Sequence, residues 1–233
     1  MRPVAALDLD LDRELRLKAL LAALHLASPA LPVGGFAYSQ GLEMAIADGV
    51  VDDATSARRW IEDLLLHVLA RFEAPLWLRA FDALTSGELA RVRALNAELL
   101  AARETAELRA ETQQMGASLL RLFEPFGIDA PELDPVVYPI AFAAACNAFD
   151  IDREAGLAVY LWSWLENQVL AIVKTLPLGQ QAAQAMLIEL HQSIAHAVRI
   201  ATGLRDDELG SAGVGFAIRS ARHESLYSRL YRS

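Results

Sequence analysis

Residues 26–43 read LASPALPVGGFAYSQGLE, and the reading of this stretch decides how the chain on either side of it folds. Pro29 and Pro32 lack backbone donors and push the residues before them out of the α region. Gly34-Gly35 permits positive φ, so the backbone can turn sharply there. Helical spacing lies on both sides. Residues 11–26 set Leu15, Leu20 and Leu24 at helical intervals, and Ser39 is a candidate N-cap for a short helix to Asp48 that Gly49 ends. The connector is apolar where a solvent loop would be polar, so it packs against the body or against a partner. The alternative is a buried helix-to-helix turn with no further role.

Further along, Asp52 or Asp53 caps a helix carrying Trp60, Leu64, His67, Val68 and Phe72 on one side. Pro75 starts another through Leu84, and Thr85-Ser86-Gly87-Glu88 has capping-box spacing for an amphipathic helix to about residue 102. Residues 103–124 form a longer helix with a charged first half. Residues 125–135 hold three prolines and read as a hinge between two helical layers rather than as a boundary between independent domains. Residues 136–149 are almost wholly apolar, which predicts a central helix. Asp150 or Asp152 caps a long helix through Trp162, Trp164 and Val169 to Leu176, broken by Pro177-Leu178-Gly179, and residues 180–202 form another, stopped by Gly203. No stretch alternates with period two for long enough to require a sheet, and no repeat is evident. The expectation is an all-α chain: a single globular helical bundle of about ten helices over residues 1–203, with a flexible C-terminal tail over residues 204–233.

Composition narrows the function. Of 233 residues, 54% are apolar and 22% charged, which excludes a disordered chain. A formal net charge of −9 argues against nonspecific nucleic-acid binding, which needs basic surface to displace counterions. The start is acidic (Asp8, Asp10, Asp12, Glu14) where a secretory signal would be basic and then apolar, and the longest apolar stretch is interrupted at Glu166-Asn167-Gln168. The lone Cys146, in AFAAACNAF, suits a reducing compartment and reads as a buried small hydrophobe. These features point to a cytoplasmic protein with neither a membrane nor a nucleic-acid partner.

Signatures of chemistry are missing. There is no phosphate-binding loop, no dinucleotide glycine fingerprint and no paired Cys-x-x-Cys zinc pattern. His191 and His196 lie about 140° apart around a helix and would not chelate one metal alone. His67, inside LLLHVLA, reads as a satisfied interior histidine, and Ser39 has no nucleophile elbow around it. Two features remain. Glu166-Asn167-Gln168, with Lys174 two turns beyond Asn167, places polar groups in an apolar helix, either as a solvent stripe or as a strip kept for another subunit. The tail interleaves Arg219, Arg222, Arg229 and Arg232 with Tyr227 and Tyr231, a composition of interface anchors. Such a tail either orders on binding a partner or docks on its own acidic body.

Together these stretches resemble the UreF family of urease accessory proteins. Residues 26–43 are similar to its first signature, and residues 164–184, WLENQVLAIVKTLPLGQQAAQ, to its second. Arg222-His223-Glu224 followed by LYSRLYRS at residues 226–233 resembles its C-terminal pattern, with Tyr231 where phenylalanine is usual and Ser225 where threonine is usual. The resemblance implies an all-α homodimer with no catalytic centre and no stably bound cofactor. Such a protein acts as a scaffold between the GTPase UreG and UreD (also called UreH) with apo-urease, with nickel in transit. It also implies that the tail orders on UreD/UreH and that Arg229 matches an arginine needed to recruit UreG. Tyr38, Ser39, Gln40 and Glu43 would then face partners, with Gly34 and Gly35 setting the turn. Glu166, Gln168 and Lys174 would face UreG or wall a hydrated passage for nickel, next to Gly179 and Gln180 of the same signature. Arg222, His223, Glu224 and Arg232 would lie in the docking tail, with Arg229 and Tyr227 as its anchors. A rival reading is a GTPase-activating regulator supplying an arginine to UreG in trans. A more distant one is a helical enzyme using Glu166 and Lys174.

Overall fold

The computed structural model describes residues 4–233, with side chains from Asp12 onward, so Asp8 and Asp10 of the acidic start lie outside the described side chains. Twelve α-helices and three single 3-10 turns make up the described residues, with no strand among them. The helices are α1 Val4–Ala27, α2 Leu42–Ala47, α3 Ala54–His67, α4 Glu73–Thr85, α5 Leu89–Ala101 and α6 Ala106–Leu120. They continue as α7 Phe123–Phe126, α8 Tyr138–Ala148, α9 Arg153–Thr175, α10 Gln180–Glu189, α11 His191–Gly203 and α12 Val214–His223.

The apolar stretch at 136–149 becomes α8, and every residue from Tyr138 to Cys146 is buried. Its alanines let α4, α6 and α9 pack closely around it. Two glycines mark close approaches around this helix. A Cβ at Gly116 in α6 would lie 2.3 Å from the Val136 carbonyl oxygen, and one at Gly156 in α9 would lie 2.9 Å from the Trp77 ring. Cys146 is fully buried, as a small hydrophobe would be, and burial pushes its thiol pKa up. One core cluster runs from Ala23 to Tyr231 and includes residues on both sides of 125–135, so no boundary falls at that linker.

Several local expectations change. The helix expected to reach Phe72 ends at His67. A 3-10 turn at Leu69–Arg71 follows, and α4 begins two residues before Pro75, whose missing N–H is harmless in a first turn. Residues 180–202 form two helices with a corner at the fully buried Leu190, where no glycine or proline marks the break. Asp53 caps α3 by accepting from Ser56 N at 2.7 Å, and Asp152 caps α9. Glu88 makes no capping bond to α5; its carboxylate accepts from the Ser86 hydroxyl instead. His67 is exposed rather than interior, and His191 and His196 are also on the surface. Leu17, Leu20, Leu21 and Leu24 of α1 are exposed as well, because α1 lies on α9 and turns this face to solvent.

Gly116→Ala should lower the unfolding free energy by roughly 1–3 kcal/mol despite its better helix propensity, because the clash is with backbone that cannot swing away. Gly179→Ala, with nothing within 4 Å of the added Cβ, should leave it unchanged. Urea unfolding of the two variants checks both.

Candidate functional site

The connector is built by backbone geometry. Gly34 sits at φ 83°, one 3-10 turn covers Gly35–Ala37, and Gln40 and Gly41 follow in the left-handed region at φ 51° and 74° before α2 starts. Leu31 and Val33 are buried, so the apolar connector packs on the body. Ser39 is not the simple helix cap its position suggests. Its hydroxyl donates to the Ser233 carbonyl oxygen at 2.6 Å, and the same oxygen accepts from Ser39 N and Gln40 N at 3.0 and 3.1 Å.

The segment read as a flexible tail is therefore seated on the body in this structure, as a strap across the connector. Three carboxylates hold it. Glu43 accepts from Leu230 N at 2.7 Å and Tyr231 N at 3.2 Å. Glu107 accepts from the Arg229 guanidinium at 2.6 Å, and Glu111 from the Ser233 hydroxyl at 2.7 Å. His223 is fully buried between the first two, with Nε2 3.1 Å from Glu43 and Nδ1 2.7 Å from Glu107. A neutral ring can donate to only one of them. Arg232 N donates to Ala37 O at 2.8 Å, while Arg222 pairs with Asp48. The buried tail aromatic is Tyr231, reaching the Ala171 carbonyl of α9 at 3.4 Å; Tyr227, expected as the anchor, is fully exposed. Glu224 is exposed.

The second signature contributes through α9. Asn167 Nδ2 donates to the Gly35 carbonyl at 2.6 Å, and Trp164 Nε1 donates to Gln40 Oε1. Lys174 lies 5.9 Å from the centroid of the exposed Phe36 ring. Lys174 also shares a groove with Glu43, Ile46, Leu226, Ser228 and Leu230, so all three stretches meet on one face. Other members of the expected strip do not join them. Gln168 is 1% exposed and cannot face a partner, because it lies on the inner side of α9. Glu166 is half-buried, and burial raises its carboxyl pKa. Gly179 and Gln180 are exposed at the start of α10, and no hydrogen bond among the described residues ties the Glu166, Gln168 or Gln180 side chain, or Gly179, to the strap.

Beneath this face lies a cavity of about 250 Å³, and most of its polar lining is illegible in the sequence. Gln40 Nε2 donates to Glu111 at 2.6 Å, and Tyr38 at the same loop donates to Gln114 at 2.7 Å. Arg103, just before α6, pairs with Glu73 of α4, whose other oxygen accepts from Tyr160 of α9 at 2.6 Å. Burial and then the adjacent Glu73 carboxylate hold the Tyr160 phenol well above its ordinary pKa, so it stays a neutral donor. Tyr138 Oη and Arg103 Nε, both lining the cavity, have no protein partner and mark it as a polar, water-admitting space. The one signal that pointed here was the charged first half of the 103–124 helix.

The UreF family model matches residues 51–191. The chain belongs to the UreF family. It is 49% identical over 228 residues to the urease accessory protein UreF of Cupriavidus necator, covering 94% of this chain and 99% of that protein. It is 48% identical to the protein of the same name from Azoarcus sp. strain BH72, covering 92% and 95% respectively. It is also 46% identical over 224 residues to the bifunctional urease accessory protein UreEF of Bordetella bronchiseptica, of which it spans 52%. The expected family and the all-α fold are thus both found, and the chain is a urease accessory protein. Among the described residues no helix is long and apolar enough to cross a membrane, and no three His, Cys, Asp or Glu side chains gather as a metal-holding group.

Arg103→Ala leaves Glu73 buried without its partner and should cost about 3–5 kcal/mol of stability, read by urea unfolding. Glu111 provides a pH test. Burial raises its pKa above the ordinary 4.5, so the folded chain keeps this proton to higher pH than the unfolded chain does. Stability from this group is then full below the ordinary value and is lost as pH rises through the raised one. Across about pH 4 to 7 the Tm of the native protein should fall relative to that of Glu111→Gln, which cannot ionise.

Proposed function

We propose that the chain is a dimeric scaffold that links the UreG GTPase to UreD/UreH and apo-urease for GTP-dependent insertion of nickel. The observation that carries this reading is the single face on which Lys174 meets Phe36 of the connector and Leu226, Ser228 and Leu230 of the strap, drawn from three stretches far apart in sequence and fixed to one another by hydrogen bonds. A surface assembled in this way is rigid enough to be recognised, and its exposed aromatic ring is of a kind enriched at interfaces. The exposed leucines of α1 support a molecule completed by other chains, including a second copy of itself. Nickel is cargo in this reading, and the cavity with Glu73 and Glu111 in its wall supports transit rather than storage. Arg229 is committed to Glu107, which favours docking over insertion into a nucleotide site of UreG. UreG turnover measured with this chain alone separates the two: stimulation would favour the GTPase-activating reading.

Arg229→Ala should remove UreG from the co-purified complex while leaving UreD/UreH bound and the helical circular dichroism intact. UreG recovered at the native ratio would overturn the assignment. Lys174→Ala should weaken UreG-coupled urease activation while costing no more than about 1 kcal/mol of stability, the value of an exposed cation–π contact.

A further inference from the structure

The cavity beneath the converging face carries groups that a scaffold does not need. Its volume of about 250 Å³ exceeds the ~150 Å³ that admits a benzene ring in a protein interior. Leu31, Phe72, Leu99, Leu108, Met115 and Phe216 supply an apolar wall, and the space opens to solvent past the exposed Pro29, Phe36, Glu104 and Ser211. The polar groups gather around Tyr160. Tyr160 and Arg103 each donate to one oxygen of Glu73, and the Tyr138 ring centroid lies 5.9 Å from that of Tyr160.

Donors and acceptors are unequally used in this wall. Each carboxylate oxygen of Glu73 and Glu111 already accepts a hydrogen bond, from Arg103, Tyr160, Gln40 or Ser233. Tyr138 Oη, on a side chain 8% exposed, and Arg103 Nε have no protein partner. The groups left over can donate, and what they lack is an acceptor. Buried donors are costly to leave unmade, so two of them lining one cavity point to an acceptor that arrives from outside. Charge narrows its class. Glu73 already neutralises Arg103 and Glu104 stands at the mouth, so an anion would enter beside acidic groups with no free cation to meet it. A cation would find no carboxylate oxygen that is not already bonded.

We propose that the cavity is a binding site for an uncharged small molecule with a ring-sized apolar body and a carbonyl oxygen. The carbonyl accepts from Tyr138 Oη and Arg103 Nε, and the body lies against Leu108, Met115 and Phe216. The site goes beyond the scaffold reading and stands without it, since it belongs to this chain alone.

The test titrates the full chain with benzamide, and with benzoate and toluene as the charged and carbonyl-free comparators. The readout is the spectrum of 13C-methyl methionine. Met115 lines the cavity, whereas Met44 and Met186 are buried elsewhere, and Met115→Leu assigns the signal. Benzamide should shift the Met115 methyl and leave those of Met44 and Met186 in place, saturating with a Kd of about 1 mM or tighter, as suits a ligand of this size. Benzoate and toluene should bind at least about fivefold more weakly, because each lacks one half of the match. Tyr138→Phe removes only the unpartnered hydroxyl and should raise the benzamide Kd about three- to tenfold. A Met115 methyl that does not move, three probes of equal affinity, or a folded Tyr138→Phe chain with native affinity would each overturn the proposal. If Tyr138→Phe does not fold, the ranking of the three probes on the native chain decides by the same outcomes.

Discussion

The face on which the three stretches converge depends on three carboxylates. Glu43, from α2, and Glu107 and Glu111, one turn apart on α6, collect an arginine, a histidine, a serine hydroxyl and two backbone amides from residues 223–233. Without them an Arg- and Tyr-bearing segment has little apolar surface to hold it on an acidic body. With them, residues nearly two hundred positions apart become neighbours, and the backbone of the Gly-rich connector is completed by donors and acceptors from the strap. Charge-assisted hydrogen bonds of this kind are directional, so they set the position of Arg229 as well as its attachment.

This arrangement is tolerable because stability comes from elsewhere. The α8 segment and the helices around it form one continuous apolar cluster, and that cluster carries the burial that a helical protein of this size requires. The polar side of the molecule can then hold groups that would be costly in isolation. Glu73 accepts from both Arg103 and Tyr160, and Glu111 is shared between Gln40 and Ser233. The cavity they border is thus a part of the interior that was never filled with side chains, placed directly under the surface where the signatures converge.

The legible part of the fold follows from one-dimensional rules. The apolar run at 136–149 announced a central helix because no solvent face interrupts it, and the pairs Asp52/Asp53 and Asp150/Asp152 announced helix starts because a short acidic side chain satisfies free backbone donors, the structure choosing Asp53 and Asp152. The break at Leu190 left no mark, since a buried leucine turns the chain by packing and not by any backbone peculiarity. Gln168 read as part of a polar strip, but its place on the inner side of α9 depends on which way the helix is rotated, which only its neighbours decide. For the same reason Tyr227 and Tyr231 could not be ranked as anchors: the two are four residues apart, and one is buried while the other is wholly exposed.

Composition, helical spacing and the signatures at 26–43, 164–184 and the tail determined by themselves the all-α class, the family and the segments that matter. Only the tertiary structure decided that those segments share one face, that the tail is strapped down by Glu43, Glu107 and Glu111, and that Glu73 and Arg103 wall a cavity beneath. The physical reason is that periodicity and capping act over a few residues and are written locally. A salt bridge or a shared carboxylate joins partners whose separation in sequence carries no information about their distance in space.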